Sequence, residues 1–473
     1  MSFDIKRFEE FVRETLDEKK IPGASVSIRG DDGTEYHKSF GHIDEGRIKE
    51  AQPDTIFGIA SMSKSITCLA AAMLECEGAM SFDDPVVKYL PDFKIPGTPR
   101  DSVLVRHLAD HTTGIPPLPT LAWSMSWHTG DEPWTTELKE RYRNESTTKV
   151  STDQDIIDYI SQYDAGKILG PPGKYISYSN DSYALLCSAI DKALGYTMET
   201  YIKTRIFEPL GMGRSVFEID EVKKLGNYTD LFSLIDDKLH CSEKWDVAPP
   251  YRGCGWIKST SMDMTLYYLA LSNRGKLNGK RALPEAAVER LIGREFPETV
   301  QGTYCLGLNK RVFKNAVICE HSGGLTGVSS NGGFIKDKGY AATILTNMGG
   351  NDCQPILDAA FNIKLGFDPG YSHNWAIPVE KAYNTSDDLS IYAGEYCSGE
   401  FFESDVTLAV TADNFLAVVE DDKEYKLDFC GGAVFTLPQK TKRLWKDTVF
   451  RFYAYGGACQ MMNVGVRMLR RVK

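Results

Sequence analysis

Ser61 and Lys64 stand three residues apart in Phe57-Gly58-Ile59-Ala60-Ser61-Met62-Ser63-Lys64. If Ser61 opens a helix, the two side chains share a face, with Cβ atoms roughly 5–6 Å apart. A serine hydroxyl is a poor nucleophile at neutral pH and needs a partner that takes its proton. A lysine can serve only where desolvation or neighbouring charge lowers its pKa. A helix N-terminus also offers backbone N–H groups to a developing oxyanion. The chemistry this spacing could support is acyl transfer through a serine.

Alone, the spacing is weak, because Ser146-Thr147-Thr148-Lys149 repeats it. Beside it Tyr142-Arg143-Asn144 and His128-Thr129-Gly130 imitate further motifs. That set is crowded into one polar stretch, in the wrong order and without an apolar helix behind the serine, and reads as chance. The set with supporting context is Ser61-Met62-Ser63-Lys64, then Tyr178-Ser179-Asn180, then His321-Ser322-Gly323. Tyr178 follows the Pro171-Pro172-Gly173-Lys174 turn, which delivers it to the front of a helix over 183–194. Asn180 could contact substrate or simply cap that helix. His321 ends an apolar strand, and Gly323 and Gly324 after it would let a substrate backbone come close.

The elements that must position these residues are legible in outline. Ile5, Phe8, Phe11, Val12 and Leu16 predict an amphipathic helix over 4–19. A hairpin follows, with strands at 24–28 and 35–40 around Asp31-Asp32-Gly33. Residues 59–75 predict the helix of Ser61. Turn-rich and helical segments then alternate to about residue 300, and strands return at 315–320, 332–335 and 340–347. The expected fold is α+β: an antiparallel sheet with flanking helices and a large helical subdomain. A connector near 371–387 divides a region of 1–370 from 388–473, where short alternating runs predict a small antiparallel β-barrel.

These motifs resemble the serine β-lactamase/penicillin-binding-protein superfamily, in the branch of class C β-lactamases, family VIII-type esterases and D-aminopeptidases. The resemblance extends through Val105 to Gly114, Phe82-Asp83-Asp84-Pro85-Val86, Phe207 to Met212 and Gly253-Cys254-Gly255-Trp256 with Asp263-Met264, in order. It implies that Ser61 is acylated by the substrate carbonyl. Lys64 would be the general base, or the charge that assists Tyr178. Tyr178 would take the serine proton and later activate water. Asn180 would bond the substrate amide or hold Lys64, and the N–H groups of Ser61 and Gly324 would form the oxyanion hole. His321 would bond near Tyr178 or the substrate. A histidine there is typical of esterase and D-peptidase members and carries little fixed charge at neutral pH, so β-lactam hydrolysis is expected as a side activity at best. His111 reads as a structural residue holding a loop. Tyr392-Ala393-Gly394-Glu395-Tyr396 resembles the opening of the lipocalin-like domains appended to this branch, as a barrel that narrows the active-site entrance, mediates assembly or only adds stability.

Residues 115–150 read as an insertion over the site, stiffened by Pro116, Pro117 and Pro119 and supplied with Trp123, Trp127 and Trp134. It is either a lid or a self-packed loop. Asp131 and Glu132 read as a solvated acidic turn. The expected reaction is hydrolysis of small peptides or amides containing D-residues, through acyl-Ser61, with no metal and no organic cofactor. An esterase, a transacylase or peptide cyclase, and a non-catalytic peptide or cell-wall-fragment sensor are the alternatives.

Composition excludes other classes. The net charge is −11, and nucleic-acid binding needs a basic face. No apolar run of about 18 residues could span a bilayer, and Met1 to Lys6 lacks a signal peptide's apolar region. The eleven cysteines form no CxxC pair and read as free, mostly buried thiols of a cytoplasmic protein. Gly-x-Ser-x-Gly is missing around Ser61, which argues against an α/β-hydrolase. The expected partner is a small molecule or short peptide, with no membrane, and homo-oligomerisation is left open.

Overall fold

Phe8, Val12 and Leu16 recur every fourth residue along helix α1 (Ile5–Glu18) and are buried, and the Asp4 side chain caps its start. The computed structural model describes residues 4–129, 149–235, 238–293, 296–297, 302–373, 388–398, 406–442, 444, 446–455 and 458–473. The predicted hairpin is formed by β1 (Gly23–Gly30) and β2 (Glu35–Gly41), with Val26 opposite Lys38. Six later strands complete an eight-stranded antiparallel sheet: β3 (Phe296–Pro297), β4 (Gly302–Tyr304), β5 (Asn309–Phe313), β6 (Ala316–Leu325), β7 (Val328–Ile335) and β8 (Tyr340–Thr346). Its order is β2-β1-β8-β7-β6-β5-β4-β3, so the N-terminal hairpin joins the late strands through β1 and β8.

The sheet is covered on both faces, and accordingly every residue of β7 and β8 is buried. On one face lie α1 and a late helix, in a core of Phe8, Val12, Ile28, Ile344, Ile356 and Phe361. On the other, helix α4 (Ser261–Ser272) packs on β1 and β8. That face continues into the larger core around α2 (Ser63–Cys76) and α3 (Asn180–Leu194). The late helix is α5 (Gln354–Leu365).

Strand β6 departs from expectation. It continues through His321-Ser322-Gly323-Gly324, pairing His321 with Gly332 and Gly324 with Ser329. His321 therefore lies inside the strand and does not end it. The two glycines carry no side chains to show alternation, so the run reads as a turn. The turn itself is at Thr326-Gly327, where Gly327 has φ +66°.

The C-terminal runs form nine antiparallel strands: β9 (Gly394–Cys397), β10 (Val406–Val410), β11 (Leu416–Glu420), β12 (Lys423–Lys426), β13 (Asp428–Gly431), β14 (Val434–Thr436), β15 (Val449–Tyr455), β16 (Ala458–Val464) and β17 (Arg467–Arg471). Their order, β12-β11-β10-β9-β17-β16-β15-β14-β13, begins and ends on two strands separated only by Leu427. The sheet thus curls into a nearly closed barrel around Tyr396, Leu408, Phe435, Phe450 and Phe452. Most of the expected connector, residues 374–387, lies outside the described residues. All eleven cysteines are free, seven of them buried. Among the described residues no helix is long and apolar enough to cross a membrane.

Candidate active site

Ser61 sits in a 3₁₀ turn (Ala60–Met62) that leads directly into α2, so it precedes the helix where the sequence reading placed it at the helix start. Ala60 adopts φ +45°, a left-handed conformation rare for a side-chain-bearing residue and stored where the surroundings enforce it. Those surroundings are specific. Ser330 Oγ donates to Ile59 O at 2.8 Å and Ser63 Oγ to Ala60 O at 2.7 Å. Gly323 of β6 passes so close that a Cβ there would lie 2.4 Å from Ile59 O and 2.9 Å from Ala60 Cβ. At Gly324, by contrast, a Cβ would meet nothing within 4 Å.

Lys64 is completely buried, and its Nζ donates to Ser61 Oγ at 3.1 Å. Asn180 Oδ1 and the Cys254 carbonyl also accept from it, each at 2.9 Å, and Cys254 Sγ lies at 3.1 Å. Gly253 makes this approach possible, because a Cβ there would collide with Thr67 Oγ1 and Cys187 Sγ. Burial pushes the Lys64 ammonium down, but Cys254 and Tyr178 outweigh it and hold the group above the ordinary lysine range. The requirement for a lowered lysine pKa is not met: these contacts favour the charged form of Lys64.

Tyr178 brings its ring to 4.9 Å from Lys64 Nζ. Asn180 is the first residue of α3, while Ser179 is the cap and accepts from Ser182 N. The Asn180 side chain is thereby spent on Lys64 and not on capping. His111, itself at φ +60°, organises this segment. Its carbonyl accepts from Ser177 N and its Nδ1 from Ser179 N at 3.1 Å. Its ring lies 4.2 Å from that of Tyr178.

The partners fix a one-way chain of hydrogen bonds across the site. Because His111 Nδ1 accepts, its Nε2–H donates to Tyr304 Oη at 3.1 Å. Tyr304 Oη–H then donates to His321 Nε2 at 3.2 Å, and His321 Nδ1–H donates to Ser322 O at 2.5 Å. Both imidazoles are neutral in this arrangement. Burial and then the Lys64 charge push His321 down to about 3, and burial, followed by the Lys64 charge, holds His111 well below its ordinary value.

The barrel reaches the same place. In the β16–β17 hairpin, Val466 O accepts from Tyr178 N at 2.9 Å and Asn463 Nδ2 donates to Ile176 O at 3.2 Å. Arg467 brings its guanidinium carbon to 5.2 Å from the centre of the Tyr178 ring. Met461 and Met468 pack on Leu169 and Tyr175. Sequence reasoning missed Tyr304, the Cys254 contact and this hairpin. Tyr304-Cys305-Leu306-Gly307 held a usable signal: Gly307 has φ +74° and abuts the backbone of Lys64, which brings Tyr304 to the site.

Of the expected lid, helix Thr120–His128 is described, and Leu121, Ala122 and Trp123 join the core. Trp134, Asp131, Glu132 and most of the decoy set lie outside the described residues. Among the described residues no group of three His, Cys, Asp or Glu side chains converges to hold a metal ion.

The chain is 32% identical to penicillin-binding protein 4* of Bacillus subtilis (strain 168) over 203 residues, 43% of this chain and 39% of that protein. The chain thus matches about two-fifths of the length of the curated relatives it resembles. The octameric penicillin-binding protein homologue from Pyrococcus abyssi superposes with a TM-score of 0.67 at 25% identity, covering 98% of this chain and 99% of that one. The D-stereospecific amidohydrolase from Streptomyces sp. shares the fold, with a TM-score of 0.60 at 22% identity over 76% of this chain and 98% of that one. The family model described as Beta-lactamase matches residues 8–361, about three-quarters of the sequence, and the chain belongs to this family of serine hydrolases.

Proposed function

We propose that the protein hydrolyses small peptides or amides through an acyl-Ser61 intermediate. One observation carries the reading: the buried Lys64 cation donates to Ser61 Oγ while Asn180 and Cys254 grip it from behind. A lysine held as a cation cannot take the serine proton, so that role passes to Tyr178, and Lys64 offsets the negative charge that develops beside it. As Ser61 Oγ bonds to the substrate carbonyl carbon, its proton passes to Tyr178, acting as phenolate or as a hydrogen-bonded relay that hands on its own proton, and the backbone N–H groups of Ser61 and Gly324 receive the oxyanion. The proton then leaves with the amine. Water, activated by Tyr178, releases the acid and restores Ser61. His321, neutral and with both ring nitrogens bonded to Tyr304 and Ser322, serves as an uncharged wall of the site.

D-configured residues on the acyl side are the favoured substrates, a choice supported by the shared fold of the D-stereospecific amidohydrolase and by the uncharged His321. The test is a panel of L- and D-aminoacyl amides, short acyl esters and a chromogenic cephalosporin, run beside Ser61→Ala. Amide turnover that disappears in Ser61→Ala supports the reading. Turnover of esters alone favours an esterase, and cyclic or amide products favour a transacylase. No turnover and no labelling of Ser61 by a fluorophosphonate would leave the non-catalytic sensor.

A further inference from the structure

Asp181 is a carboxylate taken out of water, 2% exposed, in the first turn of α3 and next in sequence to Asn180. A helix N-terminus favours negative charge there, and a buried carboxylate also needs hydrogen-bond donors. Two of its donors come from other elements and meet on one oxygen. Thr120, the first residue of helix Thr120–His128, donates its Oγ1 hydrogen to Asp181 Oδ1. Tyr251 Oη donates to the same atom at 2.8 Å. Both donors are fully buried. Burial, and then the Asp181 charge, hold the Tyr251 hydroxyl well above its ordinary value, so it stays a donor.

The place of this oxygen matters for Lys64. The two residues that grip the ammonium from behind stand on separate elements. Asn180 opens α3, and Cys254 lies in the short helix Arg252–Gly255, which begins directly after Tyr251. Asp181 is the chain neighbour of the first jaw and is hydrogen-bonded to the residue that starts the second. Beyond Tyr251, the second jaw is held by Thr67 Oγ1 on Gly253 O at 2.8 Å and by Arg252 on Asp191 and Glu199.

We propose that Asp181 is a positioning residue of the reaction. By holding Tyr251 against α3 it sets the gap between Asn180 and Cys254 that keeps Lys64 on Ser61, and by holding Thr120 it makes helix Thr120–His128 part of the same clamp. This rests on the acyl-Ser61 reading and adds to it a residue that acts through Asn180 and Cys254.

The experiment uses the full chain and the acylation burst of a p-nitrophenyl acyl ester. Tyr251→Phe and Thr120→Val each delete one hydroxyl and keep the shape of the side chain. Tyr340→Phe deletes a buried hydroxyl that donates to Ala360 O in the core of α1 and α5, and is the control for lost stability alone. Tyr251→Phe is expected to slow acylation about tenfold or more at an unchanged ester dissociation constant, the worth of one hydrogen bond to a charged group. Because both donors share one oxygen, the double variant should depart from the product of the two singles by about threefold or more. Wild-type acylation in Tyr251→Phe, singles that simply multiply, or an equal loss in Tyr340→Phe would overturn the proposal. Exchange of the Lys64 ammonium protons with water, read by nuclear magnetic resonance at neutral pH, needs no turnover. It should quicken about tenfold in Tyr251→Phe and stay at the wild-type rate in Tyr340→Phe, and an unchanged rate in Tyr251→Phe would also overturn the proposal. Thr120→Val carries the same comparisons if Tyr251→Phe does not fold. An ester that never acylates Ser61 would instead sink the underlying reading, and the exchange rates would still decide the role of Asp181.

Discussion

Adding one methyl group at Gly323 is a severe perturbation for its size. The Cβ of Gly323→Ala would sit 2.4 Å from Ile59 O and 2.5 Å from Ser330 Oγ. Ile59 O is backbone and already accepts from Ser330 Oγ, so rotating a side chain cannot relieve the contact. Strand β6 and the turn that carries Ser61 must separate by about 1 Å to reach van der Waals distance. Overpacking of this kind costs about 1–3 kcal/mol of stability. The kinetic cost is larger, because a misplacement of ~1 Å between a nucleophile and its oxyanion donors lowers rates about 100-fold. Pre-steady-state acylation by an activated ester reads the second quantity, and thermal unfolding reads the first. Gly324→Ala is the control: its methyl meets nothing within 4 Å, so the unfolding temperature should not move. A Gly323→Ala protein with wild-type stability and a wild-type acylation burst would refute the argument that β6 sets the position of Ser61.

Three further outcomes are expected. Tyr304→Phe removes the hydroxyl that accepts from His111 and donates to His321, at about 1–3 kcal/mol for each partner left without a bond; denaturant unfolding reads the loss, and ¹⁵N imidazole shifts should show His321 losing its single tautomer. Lys64→Ala should slow acylation about 10²–10⁴-fold, measured as the ester burst, and a variant retaining more than a tenth of the wild-type rate would contradict a role beside Ser61. Lys258, buried with its Nζ on Phe217 O, is pushed by burial from 10.5 down to about 8. Between these values the unfolded chain binds more protons, so this group's contribution to stability should rise as pH climbs from 8 to 10.5 and be lost as pH falls through 8. Denaturation across that range should show the slope in wild type and lack it in Lys258→Met.

The periodic elements were legible because burial imposes a period. Phe8, Val12 and Leu16 mark α1, and the alternating run Val406 to Val410 marks a barrel strand as a sheet requires. Position in strand β6 was lost where the period has no carrier, at Gly323 and Gly324. The Ser61–Lys64 pair was legible because its spacing is local. Tyr304, Cys254 and Arg467 were not, because each reaches the site through a tertiary approach made by a backbone neighbour: Gly307 against α2, Gly253 against Thr67, and the Val466 carbonyl on Tyr178. The charge state of Lys64 was illegible for the same reason. Burial alone predicts a lowered lysine, and the reversal comes from Cys254, 190 positions away in sequence.

The central claim is a covalent acyl group on Ser61. The direct measurement is intact and peptide-resolved mass spectrometry of protein quenched during turnover of an activated ester. The account predicts one acyl adduct per chain, located on the peptide containing Ser61, absent from Ser61→Ala and slow to form in Lys64→Ala. An adduct elsewhere, or turnover that persists in Ser61→Ala, would contradict it.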